Sequence, residues 1–265
     1  IQIRRGSVSL EDPVSRHIAE WPPQFSEVRV EHLVYMTSGL PEYYTLERPG
    51  SRDWGMDYFT VADAIAAVLA QESLQFEPGS RWAYNNSNYQ VMAEIVVRTS
   101  GVEFSDFVRT EIFEPLGMND SLVNDRLGQV IPGRATGYNR LENGFRQEIR
   151  RSPHYGGSGV FTTVRDLATW IGSLQSHELG GPELTALLLQ VRRFDHDKAN
   201  DAFGLVWGDY RGHRTVWYEG GDLGFSSYMA WLPDEDLSVI VLSNLGTGQA
   251  ATHARAVLDI LLGPA

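Results

Sequence analysis

Apolar positions recur with two different periods along the chain. In "TVADAIAAVLAQ", Val61, Ile65, Val68 and Leu69 fall on one helical face, opened by Thr60 with Asp63 three residues on, a capping-box pattern with Asp in place of Glu or Gln. "NYQVMAEIVVRTSG" spaces Val91, Met92, Ile95 and Val96 the same way and stops at Gly101. A shorter helix is predicted through "FSDFVRTEIF" to the break at Pro115-Leu116-Gly117. "TTVRDLATWIGSLQ" pairs Thr163 with Asp166 ahead of a stripe of Val164, Leu167, Trp170, Ile171 and Leu174, and "GPELTALLLQ" reads as a helix opened by Pro182. After residue 200 the pattern changes: "GLVWGDY", "HRTVWYE", "FSSYMAWL" and "LSVIVLSN" are β-branched or aromatic runs separated by "RG", "GGDLG" and "PDED" turns, which predicts an antiparallel meander. "ATHARAVLDILL" closes the chain as an amphipathic helix expected to turn Val257, Ile260 and Leu261 toward the sheet. No repeat or flexible linker interrupts the sequence, so one globule is expected.

Composition narrows the function classes. The 265 residues are 42% apolar and 11% aromatic, enough for a sizeable core. No apolar run approaches the roughly 20 residues that span a bilayer, the longest being "LSVIVL" and "AVLDILL". With 34 acidic against 22 basic residues, the formal charge of −12 repels a phosphate backbone, and nucleic acid is excluded as an expected partner. There is no cysteine, which removes disulfides, thiolate catalysis and thiolate metal sites. The chain begins "IQIRRG" without an initiator Met, so a truncated or processed N-terminus is expected, and it holds one lysine, Lys198.

Candidate chemistry concentrates in "WAYNNSNY", residues 82–89. One reading makes Asn85 and Asn86 a turn that caps the following helix, with Trp82 and Tyr84 packed beneath it. The other makes it a Tyr-x-Asn element in which the Tyr84 phenol and the Asn86 amide point into a cleft, the phenol to move protons and the amide to orient a nucleophile or a carbonyl. "EGGDLGFSSYMAWLP" places three glycines at the start of a strand, where a ligand could lie against bare backbone; alone it is also compatible with a loose hairpin turn. Ser158 in "YGGSGV" fails the G-x-S-x-G elbow because position 160 is Val. Ser38 and Ser158 are expected to pack or cap. Of the seven histidines, His196 and His213 read as solvated surface; His154, just before the "YGGSGV" loop, has lining of the cleft as its second, less favoured reading. No H-E-x-x-H or comparable spacing occurs, so neither a catalytic metal nor a cofactor is expected.

"HLVYMTSGLPEY", "FEPGSRWAYNNSNY", "IFEPLGMNDS", "GGSGVFTTVRDLATW" and "GFSSYMAWLPDEDLSVIVLSN" occur in this order. Together they resemble the penicillin-recognising serine hydrolases, namely class C β-lactamases, DD-peptidases and related esterases and aminopeptidases, over nearly the whole chain. The resemblance implies an α+β, β-lactamase/transpeptidase-like fold in residues 1–265. A mostly helical lobe at about 15–190 would pack against a sheet lobe with a C-terminal helix at about 200–265, with the site between them. It assigns Tyr84 and Asn86 to the family's second motif and the Gly221 N–H to half of an oxyanion hole. Tyr218, Glu219 and Gly220 then stand at the third motif, on the substrate-binding strand. Tyr218 replaces the usual Lys or His there, which removes a cation for a substrate carboxylate and favours neutral esters or amides over β-lactams. The family's Ser-x-x-Lys motif is absent, since position 195, three before Lys198, is Asp. The resemblance places that motif, with the N-terminal strands and nucleophile helix, upstream of Ile1. The implied activity is acyl transfer through a serine ester on a small-molecule or short-peptide substrate, by the full-length product and not by this chain alone. The alternative is a non-catalytic module that binds a peptidic or peptidoglycan-like ligand. Relatives suggest an exported or membrane-tethered protein.

Overall fold

The computed structural model describes residues 1–46, 57–191 and 202–264. An irregular opening segment buries Val14, Ile18, Phe25 and Val28 and leads into a short helix α1 (Val30–Val34). Helix α2 (Val61–Leu69) begins with the full capping box: Thr60 Oγ1 accepts from the Asp63 N–H at 3.2 Å, and Asp63 Oδ2 accepts from the Thr60 N–H at 2.8 Å. Helix α3 (Asn86–Ser100) ends where Gly101 takes the left-handed conformation at φ 75°. Leu33, Tyr35, Leu40, Tyr43, Phe59, Ala64 and Val91 join the opening segment in one apolar cluster around these helices. Helix α3 enters this cluster through Val91 and Ile95.

Helix α4 (Phe104–Val108) runs through a π turn at Arg109–Phe113 into α5 (Glu114–Leu116), and Gly117 stops it at φ 69°. Strand β1 (Leu122–Val123) pairs with the later β4 (Val160–Phe161), while β2 (Gly137–Leu141) and β3 (Gly144–Glu148) form a hairpin. Helix α6 (Val164–Ser176) is capped by Thr163 Oγ1, which accepts from the Asp166 N–H at 3.2 Å. The Asp166 carboxylate does not complete a box; it accepts instead from the Asp120 N–H and Ser121 Oγ, tying α6 to the end of the α5 segment. Helix α7 (Gly181–Leu188) carries Pro182 in its first turn.

Strands β5 (Val206–Tyr210), β6 (His213–Asp222), β7 (Phe225–Leu232) and β8 (Leu237–Ser243) form the antiparallel meander in sequence order, followed by α8 (Ala250–Leu262). Side-chain alternation divides the sheet into two faces. Val216, Trp231 and the half-buried Tyr218 and Met229 pack with Ile171 and Leu174 of α6. Trp217, Tyr228, Ala230 and Val239 pack with α8. The tip of the β6–β7 hairpin is fixed by β2, where the Tyr138 N–H is shared by the carbonyls of Gly224 and Asn244. A Cβ on Gly224 (φ 76°) would lie 2.5 Å from the Tyr138 nitrogen, so the approach requires glycine.

Helix α8 presents a different face from the one the apolar pattern predicts. Val257, Ile260 and Leu261 are 41%, 79% and 56% exposed, whereas Ala250, Ala254 and Leu258 are buried. Two alanines four residues apart let the helix axis come close to the aromatic-rich sheet; the larger side chains then turn outward.

Candidate active site

The two readings of residues 82–89 are both realised, by different residues. Asn85 is the N-cap of α3: its side-chain oxygen accepts from the Ser87 N–H at 2.7 Å, and its Nδ2 donates to the Leu40 carbonyl at 2.5 Å. Capping by Asn85 leaves its neighbours free for another task. Tyr84, 54% exposed, donates from Oη to Asn86 Oδ1 at 3.2 Å. Asn86 in turn donates to Glu42 Oε2 from its backbone nitrogen at 2.7 Å and from Nδ2 at 3.0 Å. The "YGGSGV" loop closes over this corner: a Cβ on Gly156 would lie 2.5 Å from the Tyr89 carbonyl oxygen, and one on Gly157 would lie 3.1 Å from Asn86 Oδ1.

The second group of expected residues lies at the end of β6. Strand β5 accompanies β6 only from His213 to Trp217, so among the described residues the ladder on that side stops before Tyr218–Asp222. Asp222 and Phe225 close a two-residue hairpin. Because ladder bonds alternate along an antiparallel pair, the polar backbone groups of Asp222 and Gly220 face β7 and those of Gly221 and Glu219 face the open edge. Among the described residues outside its chain neighbours, no atom stands within 4 Å of where a Gly221 side chain would begin. Glu219 pairs with Tyr228 across the ladder and therefore shares the α8 face; Tyr218 shares the opposite face with Asp222. The structure thus separates Glu219 from Tyr218, and the acidic side chain beside Tyr218's face is Asp222.

A cavity of about 200 Å³ adjoins this strand end, lined by Tyr44, Phe59, Arg151, Ser152, His154, Asp222 and Leu223. Three of these residues are tied together by Arg150, which donates to Asp222 Oδ2 at 3.1 Å, to the Ser152 carbonyl at 3.0 Å and to the His154 carbonyl. His154 is buried, stacked on Phe59 with ring centroids 5.2 Å apart, and meets Tyr44 Oη at 3.4 Å. Burial, reinforced by the Arg150 charge, lowers the His154 pKa to about 4, so the ring is neutral near pH 7. Burial raises the Tyr44 phenol, and the Asp222 carboxylate adds to the rise.

Two links join the head of α3 to the end of β6. Glu42, bound to Asn86, lies two residues before Tyr44 in the cavity wall. His154, also in that wall, leads into the Gly156-Gly157 turn that packs on α3. Glu42, Tyr44, Arg150 and Asp222 were not singled out by the sequence, while His154, for which cleft lining was the less favoured reading, stands in the cavity wall. Ser38 donates to Asn88 Oδ1 and accepts from the Leu40 N–H, a packing role; Ser158 is half-buried, with its Oγ shielded from solvent. His213 opens β6 and bonds Glu235 at 2.7 Å. His196 and Lys198 lie outside the described residues. Among the described residues, no three His, Asp or Glu side chains gather as a metal site would require, and no helix is long and apolar enough to cross a membrane.

The comparison with protein families matches the Beta-lactamase model over residues 1–262. The chain belongs to the Beta-lactamase family. That family of serine hydrolases has the mixed α+β architecture expected from the ordered motifs. A D-aminopeptidase of Gluconobacter oxydans (strain 621H) is 26% identical over 216 residues, covering 80% of this chain and 41% of its own length. Penicillin-binding protein 4* of Bacillus subtilis (strain 168) is 35% identical over 136 residues, 51% of this chain and 29% of that protein. The crystal structure of a penicillin-binding protein from Bacillus halodurans superposes with a TM-score of 0.84 at 24% identity, covering 98% of this chain and 81% of that one. The chain spans less than half the length of these two curated relatives.

Proposed function

We propose that the full-length protein is a serine hydrolase that opens an amide or ester by acyl transfer, with its site between a helical and a sheet lobe. Tyr84 and Asn86 would stand on one side of the scissile carbonyl and the Gly221 backbone on the other. The observation that carries this reading is the Tyr84–Asn86 hydrogen bond on the leading edge of α3, made while Asn85 supplies the cap. In this role Tyr84 handles the nucleophile's proton, and the outward Gly221 N–H stabilises the tetrahedral oxyanion, a contribution of about 3–4 kcal/mol per donor in comparable hydrolases.

The name of the D-aminopeptidase relatives supports a substrate carrying a free amine. Around the site the charges balance: Glu42 holds Asn86, Asp222 is paired with Arg150, and Arg151 stands in the cavity wall. The test is the full-length gene product with D-amino acid p-nitroanilides, short-chain nitrophenyl esters and a fluorophosphonate probe. Turnover with a serine adduct supports the hydrolase; binding without turnover or adduct supports the non-catalytic module, which the missing third-motif cation also fits.

A further inference from the structure

Glu42 and Asn86 are 44 positions apart in sequence, yet one carboxylate oxygen accepts both the main-chain and the side-chain N–H of the motif asparagine. The two ends of an amide have nearly the same shape, so which end faces which neighbour is decided by hydrogen bonding alone. An ionised carboxylate can only accept. Asn86 must therefore offer its NH2 to Glu42, and its carbonyl oxygen is left for Tyr84, whose Oη donates to it at 3.2 Å. The carboxylate is itself oriented by backbone: Glu42 Oε1 accepts from the Tyr44 N–H at 3.5 Å at the start of the helical turn Tyr43–Thr45. The Pro41 carbonyl next to it accepts from Ser87 Oγ in the same first turn of α3.

We propose that Glu42 is a positioning residue for acyl transfer: it locks the Asn86 amide with its carbonyl toward Tyr84, which gives the phenol O–H a fixed acceptor and so fixes where the phenol oxygen sits. The opposite amide orientation would set the Asn86 carbonyl oxygen against the Glu42 carboxylate, two acceptors facing each other, so Asn86, and the phenol with it, would lose their fixed place. The position of Glu42 rests on hydrogen bonds, but its part in turnover rests on the hydrolase reading given above.

The experiment compares Glu42→Ala and Glu42→Gln in two settings. In this chain, the Asn86 side-chain amide and the Tyr84 ring are followed by NMR. Gln keeps an acceptor for Asn86, so E42Q should preserve the wild-type amide signals, whereas E42A should move them to free-amide positions and shift Tyr84 with them. In the full-length protein, E42A should lower kcat about tenfold or more with KM within about twofold, and E42Q should restore kcat to within about threefold of wild type. Unchanged Asn86 and Tyr84 signals in E42A would overturn the positioning role. So would a rise in KM at constant kcat shared by E42A and E42Q, which would make Glu42 a charge that binds substrate. If the wild-type protein turns nothing over and forms no serine adduct, the hydrolase reading and the catalytic part of this proposal fail together. The NMR comparison then separately decides whether Glu42 orients Asn86.

Discussion

Arg150 and Asp222 meet at 3.1 Å across 72 positions of sequence, with the arginine side chain only 6% exposed. The pair joins the segment after β3 to the end of β6, and the same guanidinium gathers the Ser152 and His154 carbonyls. Its burial lowers the Arg150 pKa and the Asp222 charge offsets part of that cost. Arg150→Met would leave a carboxylate and two carbonyls without their donor, so we expect it to lower unfolding stability by about 2–4 kcal/mol. Urea denaturation of the chain measures this directly, and a variant as stable as wild type would show that the tie contributes nothing.

The buried His154 predicts a pH dependence. Its folded pKa of about 4 lies below the ordinary 6.5, so between those values the unfolded chain binds a proton that the folded chain does not. The stability associated with the neutral ring is present above about pH 6.5 and is lost as pH falls toward 4, a change on the order of 3 kcal/mol. His154→Gln should flatten the slope of unfolding free energy between pH 7 and 5. Equal slopes in the two proteins would contradict a buried neutral imidazole.

Gly157 tests the contact between the loop and the motif. Its φ is not in the left-handed region, so alanine is tolerated by the backbone, but the added methyl would lie 3.1 Å from Asn86 Cβ and Oδ1. A few tenths of an ångström of movement at Asn86 must follow. We expect Gly157→Ala to cost the full-length enzyme about tenfold in kcat/KM while shifting the stability of the chain by less than about 1 kcal/mol. Equal activity would place Asn86 outside the chemistry.

The outward stripe of α8 makes a solution prediction. With Val257, Ile260 and Leu261 exposed together, the isolated chain should bind a hydrophobic dye such as ANS. Ile260→Glu should reduce the signal without lowering stability, since Ile260 is 79% exposed. Absence of dye binding in the wild-type chain would mean that this face is covered in solution.

Much of the architecture is legible because caps and periods are local. Thr60 with Asp63, Thr163, Gly101 and the four strand runs all stand where their chemistry predicts. The β2–β3 hairpin carried a usable signal, Asn143-Gly144, but its strands are largely exposed and lack an apolar alternation. The face of α8 was misjudged because alanine barely registers in a hydrophobic pattern although it sets how closely a helix can approach a sheet. The functional corner divides along the same line. Tyr84, Asn86 and the glycines of β6 belong to short motifs, whereas Glu42, Arg150 and Asp222 act through partners 44 and 72 positions away, and no local period encodes such distances.

The central claim is that Tyr84 participates in acyl transfer. The most direct measurement is kcat/KM of the full-length gene product against an activated ester, for wild type and Tyr84→Phe, with circular dichroism to confirm the fold. Because Tyr84 is 54% exposed and its hydroxyl donates to Asn86 on the surface of α3, the substitution should leave stability within about 1 kcal/mol. The account predicts a loss of about 100-fold or more in kcat/KM. A Tyr84→Phe protein that hydrolyses the ester as fast as wild type would contradict it.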